Sequence, residues 1–276
     1  MENHDAFADP SGDRLTAGLS ASVHDNTGST PPLKSEETLD TLFRGKLEIF
    51  QSRGGYRFSL DALLLANFVT VKRGERVVDL GSGNGVVALV LAHRHPSIAV
   101  TGLEIQPVMA QRARKNVRQN RLGNRIAIVA GDVRAVETIH EAASCDVVVS
   151  NPPYRKRTGG RISPNREKQI ARHEITAHLD DFVRAAAYLL RAKGRLALVY
   201  SAERAVELLA AMRAMKLEPK RLRMVHAFAG AEATLALVEG VKGGRSGVKV
   251  LPPLIIYRKG KEYSDELAAI IAGTNK

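Results

Sequence analysis

The sequence predicts an α/β protein: an open, mostly parallel sheet with helices on both faces and one or more antiparallel strands at its C-terminal end. Three observations predict it. Short runs rich in valine, isoleucine and leucine recur at 76–80, 98–104, 126–130, 146–150 and 195–200. Segments with helical start and stop signals separate them. Such alternation implies parallel strands, because each crossover lays a helix on one face of the sheet. The third observation is a hairpin signal between Thr234 and the glycine-rich stretch at 240–247, which turns the last part of the sheet antiparallel.

Taken in order, residues 1–40 are rich in Ser, Gly, Asp, Thr and Pro without an apolar period. They read as a disordered acidic tail that cannot offset the entropy of ordering. Residues 41–276 read as one domain, with a hairpin and helix (41–70), a central core (75–201) and a C-terminal completion of the sheet (202–276). Leu47, Ile49, Gly54, Gly55, Tyr56 and Phe58 suggest a short β-hairpin with a glycine turn. Ser59 can cap the helix that follows, and Asp61 sits favourably in its first turn. The strand at 76–80 ends at a glycine loop, and Pro96 stops the helix at 86–93. Pro107 opens a helix to about residue 121, with Gly123 as its expected stop. Further helices are expected near 133–142, 179–190 and 202–215, and later strands at 222–229, 234–241 and 254–258.

The charge is uneven. The first 40 residues carry net −6 and the remainder +18, against +12 for the whole chain. A basic body suits a polyanionic partner, since neutralised phosphates release counterions whatever their sequence; a solubilising surface is the plainer reading. One cysteine, Cys145, excludes an intrachain disulfide, fits a reducing compartment and reads as a buried strand residue. No apolar run is long enough to span a membrane, and the N-terminus lacks a signal-peptide pattern. The chain is therefore expected in the cytoplasm.

Chemistry enters at Gly81-Ser82-Gly83-Asn84-Gly85, reached through Val77-Val78-Asp79-Leu80. A dinucleotide fingerprint needs G-x-G-x-x-G, and its third glycine would fall on Val86. Asp79 would also repel a diphosphate, whereas a ligand bearing a sulfonium and an ammonium would be attracted. The second strand ends in Glu104, placed to take both hydroxyls of an adenosine ribose. The third ends at Gly131 and Asp132, where a carboxylate can accept from the adenine amino group. These carboxylates describe an S-adenosyl-L-methionine pocket, to which neighbouring Ile105 and Val133 are also assigned. Each alone reads equally well as an ordinary loop residue.

The fourth strand leads into Asn151-Pro152-Pro153-Tyr154. An exocyclic amine on a planar ring is a poor nucleophile because its lone pair is delocalised. Asn151 Oδ1 and the Pro152 carbonyl can accept its two hydrogens and favour a pyramidal nitrogen. Pro152 and Pro153 pre-set the backbone that aims them. Tyr154 offers a ring for a planar target. Catalytic work is thus assigned to Asn151, Pro152, Pro153 and Tyr154, with Asn151 also beside the cofactor; a bare proline turn is the bland alternative.

With these motifs the chain resembles the Rossmann-like class I methyltransferases carrying N-P-P-Y, and more narrowly the bacterial tRNA (adenine-N6) methyltransferases acting on a valine tRNA. The resemblance covers about residues 42–266, including Arg57-Phe58-Ser59-Leu60-Asp61 and Leu251-Pro252-Pro253-Leu254. It implies that Tyr56, Phe58, Ser59 and Asp61 lie over the methionine end of the cofactor. Asp79, Gly81, Gly83 and Gly85 match the family's loop, Glu104 its ribose carboxylate and Asp132 its adenine contact. The implied partner is RNA, specifically tRNA. N-P-P-Y also occurs in enzymes that methylate protein glutamine, so a glutamine N5-methyltransferase acting on a translation factor stays open, as does an rRNA amino-group methyltransferase. The glutamine family carries a helical substrate-binding region that is absent here. A DNA methyltransferase would need a separate base-recognition domain, and a non-enzymatic RNA-binding protein would need no pocket.

Two basic runs remain. Arg112, Arg114, Lys115, Arg118, Arg121 and Arg125 read first as a solvated helix face, with RNA contact as the alternative. Arg155, Lys156, Arg157, Arg161, Arg166 and Arg172 follow the tetrapeptide through Gly159-Gly160, and they are assigned to RNA phosphates. His173-Glu174 closes that loop as an anchoring pair; no metal site is assigned.

Overall fold

The computed structural model describes residues 37–53, 60–153 and 177–274. An N-terminal hairpin of β1 (Glu37–Leu42) and β2 (Leu47–Ser52) precedes α1 (Leu60–Phe68). The core alternates as expected: β3 (Arg76–Leu80), α2 (Val86–Arg94), β4 (Ala99–Glu104), α3 (Pro107–Gln119), β5 (Ile126–Ala130), a 3-10 turn (Val133–Thr138) and β6 (Cys145–Ser150). α4 (Leu179–Leu189), β7 (Leu190–Ser201), α5 (Ala205–Ala214), β8 (Leu217–His226) and β9 (Ala233–Lys242) follow. Short strands β10 (Lys249–Val250), β11 (Leu254–Ile255), β12 (Tyr257–Lys259) and β13 (Glu262–Tyr263) lead to α6 (Asp265–Ala272).

Among the described residues the main sheet has nine strands in the order β10-β8-β9-β7-β6-β3-β4-β5, with β11 also on β8. β3, β4, β5, β6 and β7 pair in parallel, and β9 runs antiparallel to both β7 and β8. The α/β expectation and its antiparallel C-terminal end both hold. The chain builds outward from β3 to β5, then returns to β6 on the other side of β3. That reversal opens a crevice at the carboxyl ends of β3 and β6, where open α/β sheets place ligands. Two apolar clusters cover the faces. One joins α1, α2 and the hairpin through residues such as Leu65, Leu89 and Ile49. The other joins α4 and α5 through Phe182, Leu189 and Met212. Cys145 is buried in β6, as expected, and burial pushes its thiol up to about 12.

Several local expectations are corrected. The hairpin turn is Phe43-Arg44-Gly45-Lys46, and β1 starts at Glu37, so the last four residues of the expected tail belong to the fold. They are recruited because Glu37 is buried against Arg112 and Lys115. Gly54 and Gly55 lie outside the described residues. α3 ends at Gln119 with Asn120 as its cap and Arg121 left-handed at φ 55°, ahead of the expected stop at Gly123. The helix expected near 133–142 is a short 3-10 turn broken at Ala135, where φ is −117°. Asp132 accepts from the Arg134 N–H and fixes that tight start. The last expected strand divides, β11 pairing with β8 and β12 with β13.

Candidate functional site

The glycine loop is held from beneath by the end of β4. The N–H groups of Gly81 and Ser82 both donate to the Leu103 carbonyl, at 2.9 and 3.0 Å. Gly83 N–H donates to Glu104 Oε2 at 2.8 Å, while Glu104 Oε1 accepts from Gln106 N–H at 2.9 Å. Gly81 and Gly83 have φ of 72° and 57°, so side chains here would be strained. A Cβ on Gly102 would stand 2.9 Å from Ser82 Oγ, so β4 must also stay small beneath the loop. Gly85, at φ 84°, is under the same backbone constraint and also serves packing: its Cβ would lie 3.2 Å from Ala113 Cβ on α3.

The second wall comes from β6. Ser150 Oγ donates to the Leu80 carbonyl at 2.7 Å, across the pairing of Leu80 with Ser150. Asn151 therefore leaves the sheet beside Gly81. One cavity is lined by Asp79, Gly81, Ser82, Gly83, Asn84, Val86, Val87, Ala62 and Asn151. Pro152 is buried and Pro153 exposed. Asp61, in the first turn of α1, is half-buried one residue before Ala62.

Electrostatics mark this cavity. Asp79 is 1% exposed, and its Oδ2 has no hydrogen-bond partner among the described residues. Burial pushes its carboxyl up to about 7; the Glu104 charge adds to the rise and the Ala88 N–H opposes it. Burial also raises Glu104, against N–H groups from Gln106, Gly83 and Ile105. Asp132 behaves differently. Arg134 grips it through Nε at 3.0 and 2.9 Å, and that hydrogen bond holds its carboxyl below the usual value. Val133 is buried in the second apolar cluster and packs rather than lining the cavity.

The fold thus brings Asp79, Gly81, Gly83 and Asn151 together, with Glu104 directly under the loop and Asp132 beside it through the Gly131 N–H, which donates to the Glu104 carbonyl. Tyr56, Phe58, Ser59, Tyr154, Arg155, Lys156, Arg157, Arg161, Arg166, Arg172, His173 and Glu174 lie outside the described residues. The sequence reading missed Ser82, Asn84 and Ala62 as lining residues, although small polar residues between obligatory glycines could have signalled the first two. It also missed Asn116, a fully buried amide on α3. Asn116 Oδ1 accepts from Phe50 N–H at 2.7 Å, while Nδ2 donates to the Phe50 and Asn84 carbonyls. It ties the hairpin to the loop.

Residues 58–220, which contain the whole of this crevice, match the methyltransferase small domain family. The chain belongs to that family. A tRNA1(Val) (adenine(37)-N6)-methyltransferase of Porphyromonas gingivalis is 37% identical over 136 residues, 49% of this chain and 52% of the relative. The chain thus spans about half the length of the first curated relatives it matches. The enzyme of the same name from Bacteroides fragilis is 28% identical over 217 residues, covering 78% and 90%. Among solved structures, a predicted O-methyltransferase from Agrobacterium tumefaciens superposes with TM-score 0.64 at 25% identity, covering 78% of this chain and 96% of that one. TrmN from Thermus thermophilus, at 0.50 and 21% identity over 66% of this chain and 48% of its own, shares the fold.

The residues fit S-adenosylmethionine, the donor that a methyltransferase of this fold requires. Asp79 offers an unsatisfied buried acceptor to a cationic ligand, and loop glycines leave room for close backbone approach. Backbone N–H groups of Gly83, Gln106 and Ile105 approach the Glu104 carboxylate, which keeps a lone pair for a hydroxyl. Among the described residues no helix is long and apolar enough to cross a membrane.

Proposed function

We propose that this chain transfers a methyl group from S-adenosylmethionine to N6 of an adenine in tRNA. The observation that carries the reading is Asn151 at the carboxyl end of β6, sharing a cavity with the Asp79–glycine-loop site. The cofactor supplies a methyl group on an electrophilic sulfonium. Asp79 attracts that positive ligand, and Glu104 both shapes the loop and offers its free lone pairs to the ribose. Asn151 Oδ1 and the Pro152 carbonyl would accept the two amino hydrogens and leave the nitrogen lone pair available. Methyl transfer would release S-adenosylhomocysteine, and the surplus amine proton would pass to solvent. No strong base is needed, because positioning supplies most of the rate. Tyr154 stacks the base, and the basic segment from Arg155 to Arg172 receives phosphates. Asp132 is available to the adenine of the cofactor by sharing its carboxylate with Arg134. A cytoplasmic location, where tRNA is abundant and Cys145 stays reduced, completes the reading.

The relatives' names support tRNA over protein glutamine, and the +18 charge of residues 41–276 supports a polyanion. The test is transfer from labelled S-adenosylmethionine to total tRNA from a strain lacking this modification, followed by nucleoside analysis. Label in N6-methyladenosine is the expected result. Label only in a translation factor added in parallel would replace the tRNA reading with glutamine methylation.

A further inference from the structure

Residues 105–131 contain six arginines and lysines and no acidic residue. The fold divides these cations in two. Arg112 and Lys115 turn inward to Glu37, at 3.4 and 2.6 Å, and Lys115 Nζ also lies 3.5 Å from the Phe50 ring centroid. Arg125 Nη1 donates to the Ala92 carbonyl at 2.5 Å and closes the C-terminal end of α2. These three hold the fold together.

The other three face outward. Arg114 and Arg118 are exposed one turn apart on the outer face of α3, about 5–6 Å from each other, and Arg121 is exposed just past the helix's C-cap. Arg114 Nε donates to the Ile128 carbonyl at 3.1 Å; among the described residues, the Arg118 and Arg121 guanidiniums have no partner. Among the described residues, Glu37 is engaged by two of these cations and Glu48 by Gln119. Among the described residues, neighbouring β5 is the last strand of the sheet and no further strand shields this side. The field continues past the helix. Burial first, then the charges of Lys46, Arg125 and Arg94, hold His93 below its ordinary value.

We propose that Arg114, Arg118 and Arg121 form a track that receives backbone phosphates of the RNA substrate beyond the modified nucleotide. α3 begins three residues after Glu104 and runs about 20 Å towards the opposite edge of the sheet. Arg114 falls past the middle of α3, so the track occupies the half of the helix away from the catalytic edge and the turn after it, about 10 Å and more beyond that edge. Three unpaired or lightly held guanidinium forks without an apolar pocket between them suit phosphates better than a folded protein face. This inference rests on the tRNA reading above for the identity of the RNA.

The test is the double variant R118Q/R121Q in the full chain, assayed for tRNA binding across salt and for steady-state transfer. Because neither guanidinium has a partner among the described residues, cofactor affinity and the unfolding midpoint should stay unchanged. The log–log salt slope should fall by about two, so that going from 50 to 200 mM salt weakens the wild type roughly tenfold more than the variant. KM for tRNA should rise about tenfold at moderate salt with kcat within twofold. A wild type that methylates tRNA beside a variant with the same KM and salt slope overturns the track and leaves the tRNA reading intact. A slope that falls in a protein transferring nothing to tRNA sustains the track and removes that reading.

Discussion

Glu104 and Gly83 are joined by a hydrogen bond of 2.8 Å from the Gly83 N–H to Oε2, so the carboxylate that ends β4 also sets the shape of the glycine loop. One side chain therefore shapes the scaffold and, in the proposed function, also meets the ligand. Glu104→Ala should weaken S-adenosylmethionine binding at least tenfold, because charge-assisted hydrogen bonds contribute about 1.5–3 kcal/mol each. Glu104→Gln, which keeps an acceptor for Gly83, should lose less. Calorimetric titration of both variants checks this ranking, and equal losses would separate the loop from ligand contact.

With Asp79 at the proposed cofactor site, cofactor affinity should depend on pH. Its carboxyl stands at about 7, above the ordinary 3.8, because burial and the Glu104 charge disfavour the anion. A cationic ligand favours the anion, so affinity should rise as pH passes from 6 to 8, and binding near pH 6.5 should release a proton. The ligand-free protein shows the opposite trend. Between pH 4 and 7 the folded state keeps a proton that the unfolded state gives up, so this group's contribution makes stability fall as pH rises through that window. Asp79→Asn should flatten both profiles and lower affinity above pH 7. Titrations in buffers of different ionisation enthalpy measure the proton count.

Asn116 should be the most costly polar residue of the hairpin interface. Its amide meets both polar groups of Phe50 and the Asn84 carbonyl while fully buried. One turn later Asn120 does the same for Glu48, accepting from its N–H at 2.9 Å and donating to its carbonyl at 2.7 Å. Two amides thus act as a substitute strand along the free edge of β2. Asn116→Ala should cost about 2–4 kcal/mol through unsatisfied buried groups, or roughly 5–15 °C in unfolding midpoint. Asn120→Ala, on a more exposed side chain, should cost less than half of that.

The strand–loop–helix order of the core was legible because its signals are local. Val77-Val78-Asp79-Leu80 and the glycines after it declare a strand and a turn within nine residues. Asp79, Glu104 and Asn151 were legible by their positions at strand ends, which a parallel sheet brings to one edge. What failed was decided by distant partners. Nothing in Glu37-Thr38-Leu39-Asp40 announces a strand; it forms because β2 pairs with it and because Arg112 and Lys115, more than 70 residues away, take up Glu37. The same contacts divided an arginine run that looked uniformly solvated. The turn after Asp132 failed for a local reason, a side-chain cap stronger than the helical preference of the residues behind it.

Asn151→Ala tests the account most directly, in paired measurements of cofactor affinity and of single-turnover transfer to unmodified tRNA. If Asn151 Oδ1 accepts from the target amine, the dissociation constant for S-adenosylmethionine should stay within threefold. The transfer rate should then fall by about 10²–10³, the usual loss on removing one pre-aimed polar group. Equal losses in binding and transfer would make Asn151 a cofactor-holding residue and contradict its place in the chemistry.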